Sequence, residues 1–252
     1  MERYQIILAY DGTEFFGSQR QAKSRRTVQG ELEEALRKTG WAESSVLMAG
    51  RTDAGVHASG QVAAFDFDWK HSLDALRNAL NANLPADMAI SQVQIAPAKF
   101  HPRFDATARL YRYRLFCQRD RDPLRERYAW RVFPDVEGEI LHSLAAMLPG
   151  KHDFSAFGSP PRTGGSTERH LMRASWKKQE DEWIFEVQAN AFLYHMVRRL
   201  VLTQVVIAQN KVPAEKFARA LAEQAEVTSG IAPSNGLSLV EISYLDNLKP
   251  KV

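Results

Sequence analysis

The order of predicted secondary-structure elements most constrains the fold, because the same order occurs twice along the chain. Hydrophobic periodicity predicts a strand, a helix, two strands, a helix and a final strand in each half. In the first half, Thr27 and Ser72 are placed to cap the two helices, and Gly40 ends the first of them. The strands of this half are predicted at residues 4–10, 46–49, 61–67 and 90–95.

The second half repeats this order from residue 107 onward. A helix with apolar residues from Ile140 to Leu148 ends at Pro149-Gly150, and a long helix over 192–209 is followed by a shorter one from Pro213. The strands of this half are predicted at residues 107–118, 173–179, 183–189 and 237–244.

Each half matches the split βαβ arrangement, also called ferredoxin-like or RNA-recognition-like. We therefore predict an α+β protein whose halves, residues 1–103 and 104–252, form one extended, mixed and largely antiparallel sheet. Helices are expected on one face, and a binding cleft on the other. A chain of 252 residues, 44% of them hydrophobic, has enough apolar material for such a core.

Positive charge is concentrated in one stretch of the chain. From Lys99 to Arg131 there are ten Lys or Arg and four Asp or Glu residues, a net charge of +6, so the rest of the chain sums to −3. The same stretch holds seven aromatic residues: Phe100, Phe104, Tyr111, Tyr113, Phe116, Tyr128 and Trp130. Basic groups neutralise phosphates and aromatic faces stack bases, so the mixture is typical of a surface for single-stranded or looped RNA in the cleft. A basic, solvated strand with its aromatic residues in the core explains the pattern equally well.

Cys117 is the only cysteine, so an internal disulfide is excluded and a reducing compartment, the cytoplasm, is expected. The longest charge-free apolar stretch, residues 200–208, is far shorter than the roughly 18–20 residues that span a membrane. We therefore expect no membrane segment and no signal peptide.

The segment from Ala49 to Val62 is the most unusual in the sequence, with glycines at positions 50, 55 and 60 between two predicted strands. Glycine permits a positive φ and close backbone approach, so we predict a tight loop that presents Asp53 to a ligand. Arg51 and His57 are near enough to bind phosphate or tune the acid. Asp is also common in turns, so the spacing alone does not separate a nucleophile from a turn residue.

The sequence resembles the bacterial tRNA pseudouridine synthase A family, which modifies the anticodon stem-loop. The matching motifs run in order from residue 10 to 240, and GRTDAGVHA at 50–58 is the most specific. The others include YDGT at 10–13, QRQ at 19–21, LNANLP at 80–85, FHPRF at 100–104, RLYRY at 109–113 and NAFLYHMVR at 190–198.

The resemblance implies that Asp53 is the catalytic nucleophile, which attacks either C6 of the target uracil or C1′ of its ribose. The base then detaches at N1, turns and rejoins through C5. The family pattern assigns Arg198 to keep the carboxylate ionised and Tyr111 to stack on the uracil, whereas core packing is the better interpretation of Tyr113.

Further roles follow from the same resemblance. Arg51 corresponds to the residue that inserts where the target nucleotide is flipped out. Leu237 is expected either to make an apolar contact with the uracil or to be a buried strand residue, and both interpretations fit it equally well. We expect additional RNA contacts from Gln19, Arg20, His57, Arg112 and Arg114. The chain departs from the family pattern at Ser18, where Trp is usual, and at Leu202, near an expected glycine. The first change is expected to affect how the loop binds RNA, and the second to affect helix packing.

The resemblance thus implies an isomerase that converts uridine to pseudouridine at tRNA positions 38, 39 and 40, with no cofactor and no metal. A homodimer with two RNA sites is expected. A non-catalytic RNA-binding protein on the same scaffold is the alternative, since it needs the basic strand but not Asp53. An Asp-dependent hydrolase is disfavoured, because the sequence has neither a phosphate-binding loop nor a second placed carboxylate.

Overall fold

The computed structural model describes residues 1–21, 25–225 and 228–245. The chain divides into two compact units, Met1–Thr107 with Ser238–Val252, and Ala108–Leu237. Residues 22–24, which precede the first helix, lie outside the described residues.

Apart from two short strands, the regular elements follow the predicted order. In chain order they are β1 (Glu2–Tyr10), α1 (Val28–Lys38), β2 (Leu47–Met48), β3 (His57–Phe67), α2 (Leu73–Asn83), β4 (Met88–Ile95), β5 (Ala108–Cys117), β6 (Trp130–Val132), α3 (Gly138–Ala146), β7 (Gly150–Asp153), β8 (Glu168–Gln179), β9 (Glu182–Ala189), α4 (Met196–Ala208), α5 (Glu215–Glu223) and β10 (Leu237–Ser243).

The sheet of the first unit is built around β1 and β3. Strand β1 pairs antiparallel with both β3 and β4, and β2 pairs antiparallel with β3. Strand β10 pairs parallel with β3, placing Ser238 opposite His57. The helix caps are confirmed, because Thr27 Oγ1 accepts from the Gly30 N–H and Ser72 Oγ from the Ala75 N–H, both at 3.2 Å.

The sheet of the second unit is also mainly antiparallel. Strand β9 lies between β5 and β8, and β7 pairs with β8, all antiparallel. Strand β6 pairs parallel with β5. Side chains alternate along β5, so Tyr111 and Tyr113 are buried on one face, while Arg112 and Arg114 are half-buried on the other.

The α+β class and the mixed, mostly antiparallel pairing are confirmed. Strands β6 and β7 were not predicted, because three or four residues are too few to show an alternating pattern. Among the described residues, no helix combines the length and the apolar character needed to cross a membrane.

Candidate active site

Asp53 lies in the loop that connects β2 to β3, where it is half-buried, and Arg51 in the same loop is exposed. The loop turns back on itself directly after Asp53, since the Val56 N–H donates to the Asp53 carbonyl oxygen at 3.2 Å. Gly55 within this turn has a φ of +76°. A tight turn is therefore present at the predicted position, and Asp53 in it is half-buried.

Thr52, the residue before Asp53, forms two hydrogen bonds with Ser18. The Thr52 N–H donates to Ser18 Oγ at 2.9 Å, and the Ser18 N–H donates back to the Thr52 carbonyl oxygen at 3.0 Å. Gly17, with a φ of +97°, allows this approach, because a Cβ there would lie 2.9 Å from the Thr52 carbonyl oxygen. Ser18 itself is only 1% exposed. This reciprocal pair fixes the backbone at the start of the Asp53 turn.

A buried network of side-chain hydrogen bonds also supports this loop. The Tyr10 hydroxyl and Thr52 Oγ1 are 2.8 Å apart, and Gln61 Nε2 donates to the Tyr10 oxygen at 3.4 Å. Gln61 also bonds both backbone groups of Gly50, accepting from its N–H at 3.1 Å and donating to its carbonyl at 3.0 Å. Burial raises the pKa of Tyr10 to about 12, so the network stays neutral over the physiological pH range.

His57, an expected RNA contact, is buried at the start of β3. Its Nδ1 accepts from the Gly12 N–H at 3.0 Å and lies 3.2 Å from Asp11 Oδ1. The buried Gly12 N–H needs an acceptor, and His57 Nδ1 supplies it. His57 therefore joins the loop after β1 to the loop before β3.

Of the other expected RNA contacts in the first unit, Gln19 is exposed and Arg20 is ion-paired. Arg20 Nη1 lies 2.6 Å from an oxygen of Glu33, whose side chain is almost completely buried. The second Glu33 oxygen accepts from Gln29 Nε2 at 2.9 Å and from the Val46 N–H at 3.1 Å. Arg20 thus anchors its loop to α1.

In the second unit, the expected substrate-binding residues lie on β5, α4 and β10. Tyr111 is buried, with its ring in an edge-to-face contact with Phe192 at 5.0 Å. Arg198, in the first turn of α4, is half-buried and donates from Nε to the Ala232 carbonyl at 2.7 Å. Leu237 begins β10 and is buried.

Tyr113 is a core residue, as predicted. It is fully buried, and its hydroxyl donates to the Pro233 carbonyl at 2.8 Å. Burial raises its pKa well above the usual value, although the nearby Arg198 charge acts in the opposite direction. Tyr113 therefore remains a neutral hydrogen-bond donor.

Ion pairs offset much of the charge of the basic stretch. Arg112 Nη2 lies 2.6 Å from Glu186, its direct partner across β5 and β9, and Arg114 Nε lies 2.8 Å from Glu182. Arg125 likewise lies 2.6 Å from Asp181. The three acidic residues come from outside the 99–131 segment, so the local charge is lower than that segment alone predicts.

Ser18, Thr52, Tyr10 and Gln61 were not predicted as parts of the site. A signal was present for three of them, since Tyr10 and Thr52 stand in the motifs YDGT and GRTDAGVHA, and Gln61 lies in the same glycine-spaced segment, 49–62. Ser18 carried no such signal, because it differs from the family pattern. In the described part of the chain, no group of three or more His, Cys, Asp or Glu side chains is arranged to hold a metal ion.

Comparison with known proteins identifies a matching family and several similar proteins. A family model described as tRNA pseudouridine synthase matches residues 6–105 and 144–245, which include Asp53 and Arg198; Tyr111 lies between the matched segments. The chain is similar to tRNA pseudouridine synthase A of Geobacillus kaustophilus, with 39% identity over 97% of this chain and 95% of the relative. The same protein of Halalkalibacterium halodurans is 38% identical over 94% and 90%, and that of Thermosipho africanus is 36% identical over 97% and 100%.

Proposed function

This chain belongs to the tRNA pseudouridine synthase family and is an isomerase of uridine in tRNA, and we propose that it acts at positions 38, 39 and 40 of the anticodon stem-loop. The observation that carries the proposal is the fixed loop around Asp53. The backbone of this loop is bonded to Ser18 at Thr52 and to Gln61 at Gly50, so the half-buried Asp53 stands on a backbone that is held in a defined position. A nucleophile needs such preorganisation.

In the proposed reaction, a carboxylate oxygen of Asp53 forms a bond to C6 of the uracil or to C1′ of its ribose. The bond between N1 and C1′ breaks with its electron pair on the base. The base turns within the site, a bond forms between C5 and C1′, and the link to Asp53 is released. The hydrogen on C5 leaves as a proton and N1 takes up a proton from solvent, so the product is an isomer of the substrate.

The other residues are assigned supporting roles. We propose that Arg198 keeps the Asp53 carboxylate ionised, that Tyr111 stacks on the uracil, and that Leu237 makes an apolar contact with it. Arg51, which is exposed in the same loop as Asp53, occupies the space left by the flipped nucleotide. The family resemblance supports these assignments.

We also propose that the protein works as a homodimer in the cytoplasm. The resemblance to the family supports the dimer, and the single cysteine suits a reducing compartment. Sedimentation of the purified protein tests the dimer directly.

The decisive experiment measures tritium release from unmodified tRNA labelled with [5-³H]uridine, with no added cofactor or metal. We expect release by the wild-type protein and none by Asp53→Asn, because C5 loses its hydrogen only when the base is rejoined there. The substitution removes one charge and barely changes the surface, so the Kd for tRNA should stay within a few-fold.

Asp68→Asn is the matched control, since Asp68 is an exposed aspartate of the same unit that pairs with Lys70. It should leave tritium release unchanged. Tight tRNA binding without release by the wild type would favour the non-catalytic RNA-binding protein, and full activity of Asp53→Asn would remove Asp53 from the mechanism.

A further inference from the structure

The seven aromatic residues of the basic stretch differ in their exposure to solvent. Most are core residues or nearly so: Phe100, Tyr111, Tyr113 and Phe116 are buried, and Trp130 is half-buried. Tyr128 is 42% exposed, whereas Phe104 is 74% exposed. Phe104 is therefore the aromatic ring of this stretch that is most open to an external partner.

Phe104 stands on a turn that hydrogen bonds hold closed. His101 Nδ1 accepts from the N–H groups of Arg103 and Phe104, at 3.2 and 3.4 Å. The His101 N–H donates to Asp105 Oδ2 at 2.8 Å, and the Asp105 N–H donates to the His101 carbonyl oxygen at 3.0 Å. The exposed ring is thus carried by an ordered backbone.

The flanks of the turn are attached to the core of the first unit. Arg3, which is ion-paired with Asp66, donates to the Phe100 carbonyl oxygen at 2.8 Å. The buried Tyr244 hydroxyl donates to the Pro102 carbonyl oxygen at 2.7 Å. Little conformational entropy remains to be lost in this turn when a ligand binds.

The surroundings of the ring favour a nucleobase. Its centroid lies 4.2 Å from that of the His101 ring, at an interplanar angle of 37°. The Arg103 guanidinium lies 5.9 Å from the ring centroid, and Lys99 on the same connection is exposed. An open aromatic face beside cationic groups is the combination that stacks a base and attracts its phosphate.

We propose that Phe104 is a stacking platform for an unpaired base of the tRNA substrate, with Arg103 and Lys99 beside the backbone of that nucleotide. The inference rests on the proposed function, because it assigns a contact to the same substrate. It separates Phe104, which binds RNA, from Asp53, which performs the chemistry.

The test compares Phe104→Leu and Phe104→Ala with Phe104→Trp in tRNA binding at one fixed salt concentration. Leucine keeps the apolar character but loses the aromatic face, so both smaller variants should raise the Kd by roughly 5- to 100-fold. Trp should stay near the wild-type value. Because Phe104 is exposed, thermal stability should not change. Phe133→Leu, at an exposed phenylalanine of the second unit, is the control and should leave the Kd within about twofold.

Each contrary result has its own meaning. A wild-type Kd in Phe104→Leu would overturn the inference while the proposed function stands. A change of sedimentation in Phe104→Ala without a change in Kd would assign the ring to a contact between copies of the chain and would also overturn it. A wild-type protein that neither binds tRNA nor releases tritium would overturn the proposed function, and with it this inference.

Discussion

Ser18 links two loops of the first unit by hydrogen bonds from its hydroxyl and its backbone groups. It bonds both the N–H and the carbonyl oxygen of Thr52, and its own carbonyl oxygen accepts from the Gln29 N–H at 2.9 Å. Gln29 in turn bonds the buried Glu33. The backbone next to Asp53 is therefore connected to α1 by a short chain of hydrogen bonds.

Ser18→Ala should lower kcat by roughly 10- to 100-fold, because the buried Thr52 N–H loses its acceptor and Asp53 loses its fixed position. The Kd for tRNA should change little. Single-turnover tritium release and equilibrium binding measure the two effects separately.

Ser72→Ala is the matched control for this change. Ser72 Oγ also accepts from one backbone N–H, at the start of α2, so its loss should cost stability of about 1 kcal/mol but no activity. If the two variants differed from wild type only in stability, by similar amounts, Ser18 would have no positioning role.

At the scale of elements, β3 organises the first unit because both of its edges are used. One edge pairs with β1 along most of its length. The other pairs with β2 at Ala63 and Ala64, and with β10 at His57 and Ala58. Strand β10 therefore meets β3 where the Asp53 loop ends.

Gly60 is the position that permits this close contact. A Cβ on Gly60 would lie 2.1 Å from the Val240 carbonyl oxygen, which is backbone and cannot move alone. Gly60→Ala should therefore displace β10 and lower the free energy of unfolding by about 2 kcal/mol or more, as measured in urea.

The neighbouring Ser59→Ala serves as the comparison. It removes only an exposed 3.4 Å hydrogen bond to the same Val240 oxygen and adds no atom, so the free energy of unfolding should stay within about 0.5 kcal/mol of wild type. Equal stability of the two variants would mean that β10 does not lie against Gly60 as closely as described.

For the whole molecule, we expect charge to govern the attraction of tRNA. The chain carries a net charge of +3, and the basic stretch carries +6, but Glu182, Glu186 and Asp181 neutralise part of it. Binding should weaken steeply with salt, since phosphate contacts release counterions.

Glu186→Gln tests whether the face with Arg112 contributes to this attraction. The substitution removes the partner of Arg112, so tRNA should bind more tightly at low salt and with a steeper salt dependence. Glu34→Gln makes the same charge change on α1, where Glu34 pairs with Lys38. If the two variants had identical effects on tRNA binding, the change in net charge alone would explain them. That result would argue against Arg112 as an RNA contact.

Local patterns explain why the order of elements could be predicted. The caps at Thr27 and Ser72 and the alternation along β5 involve residues a few positions apart, so sequence spacing is enough to recognise them. The Asp53 loop was recognised for the same reason, as its glycines and its motif are continuous in sequence.

Sequence patterns were enough to predict the order of the longer elements, the α+β class, the family and the candidate nucleophile. The tertiary structure alone decided that Arg112 pairs with Glu186, 74 residues away, that His57 is buried, and that Ser18 binds Thr52 across 34 residues. It also decided which aromatic rings lie in the core and which, like Phe104, stay exposed. The physical reason is that burial and ion pairing depend on neighbours brought together by folding, which spacing along the chain does not encode.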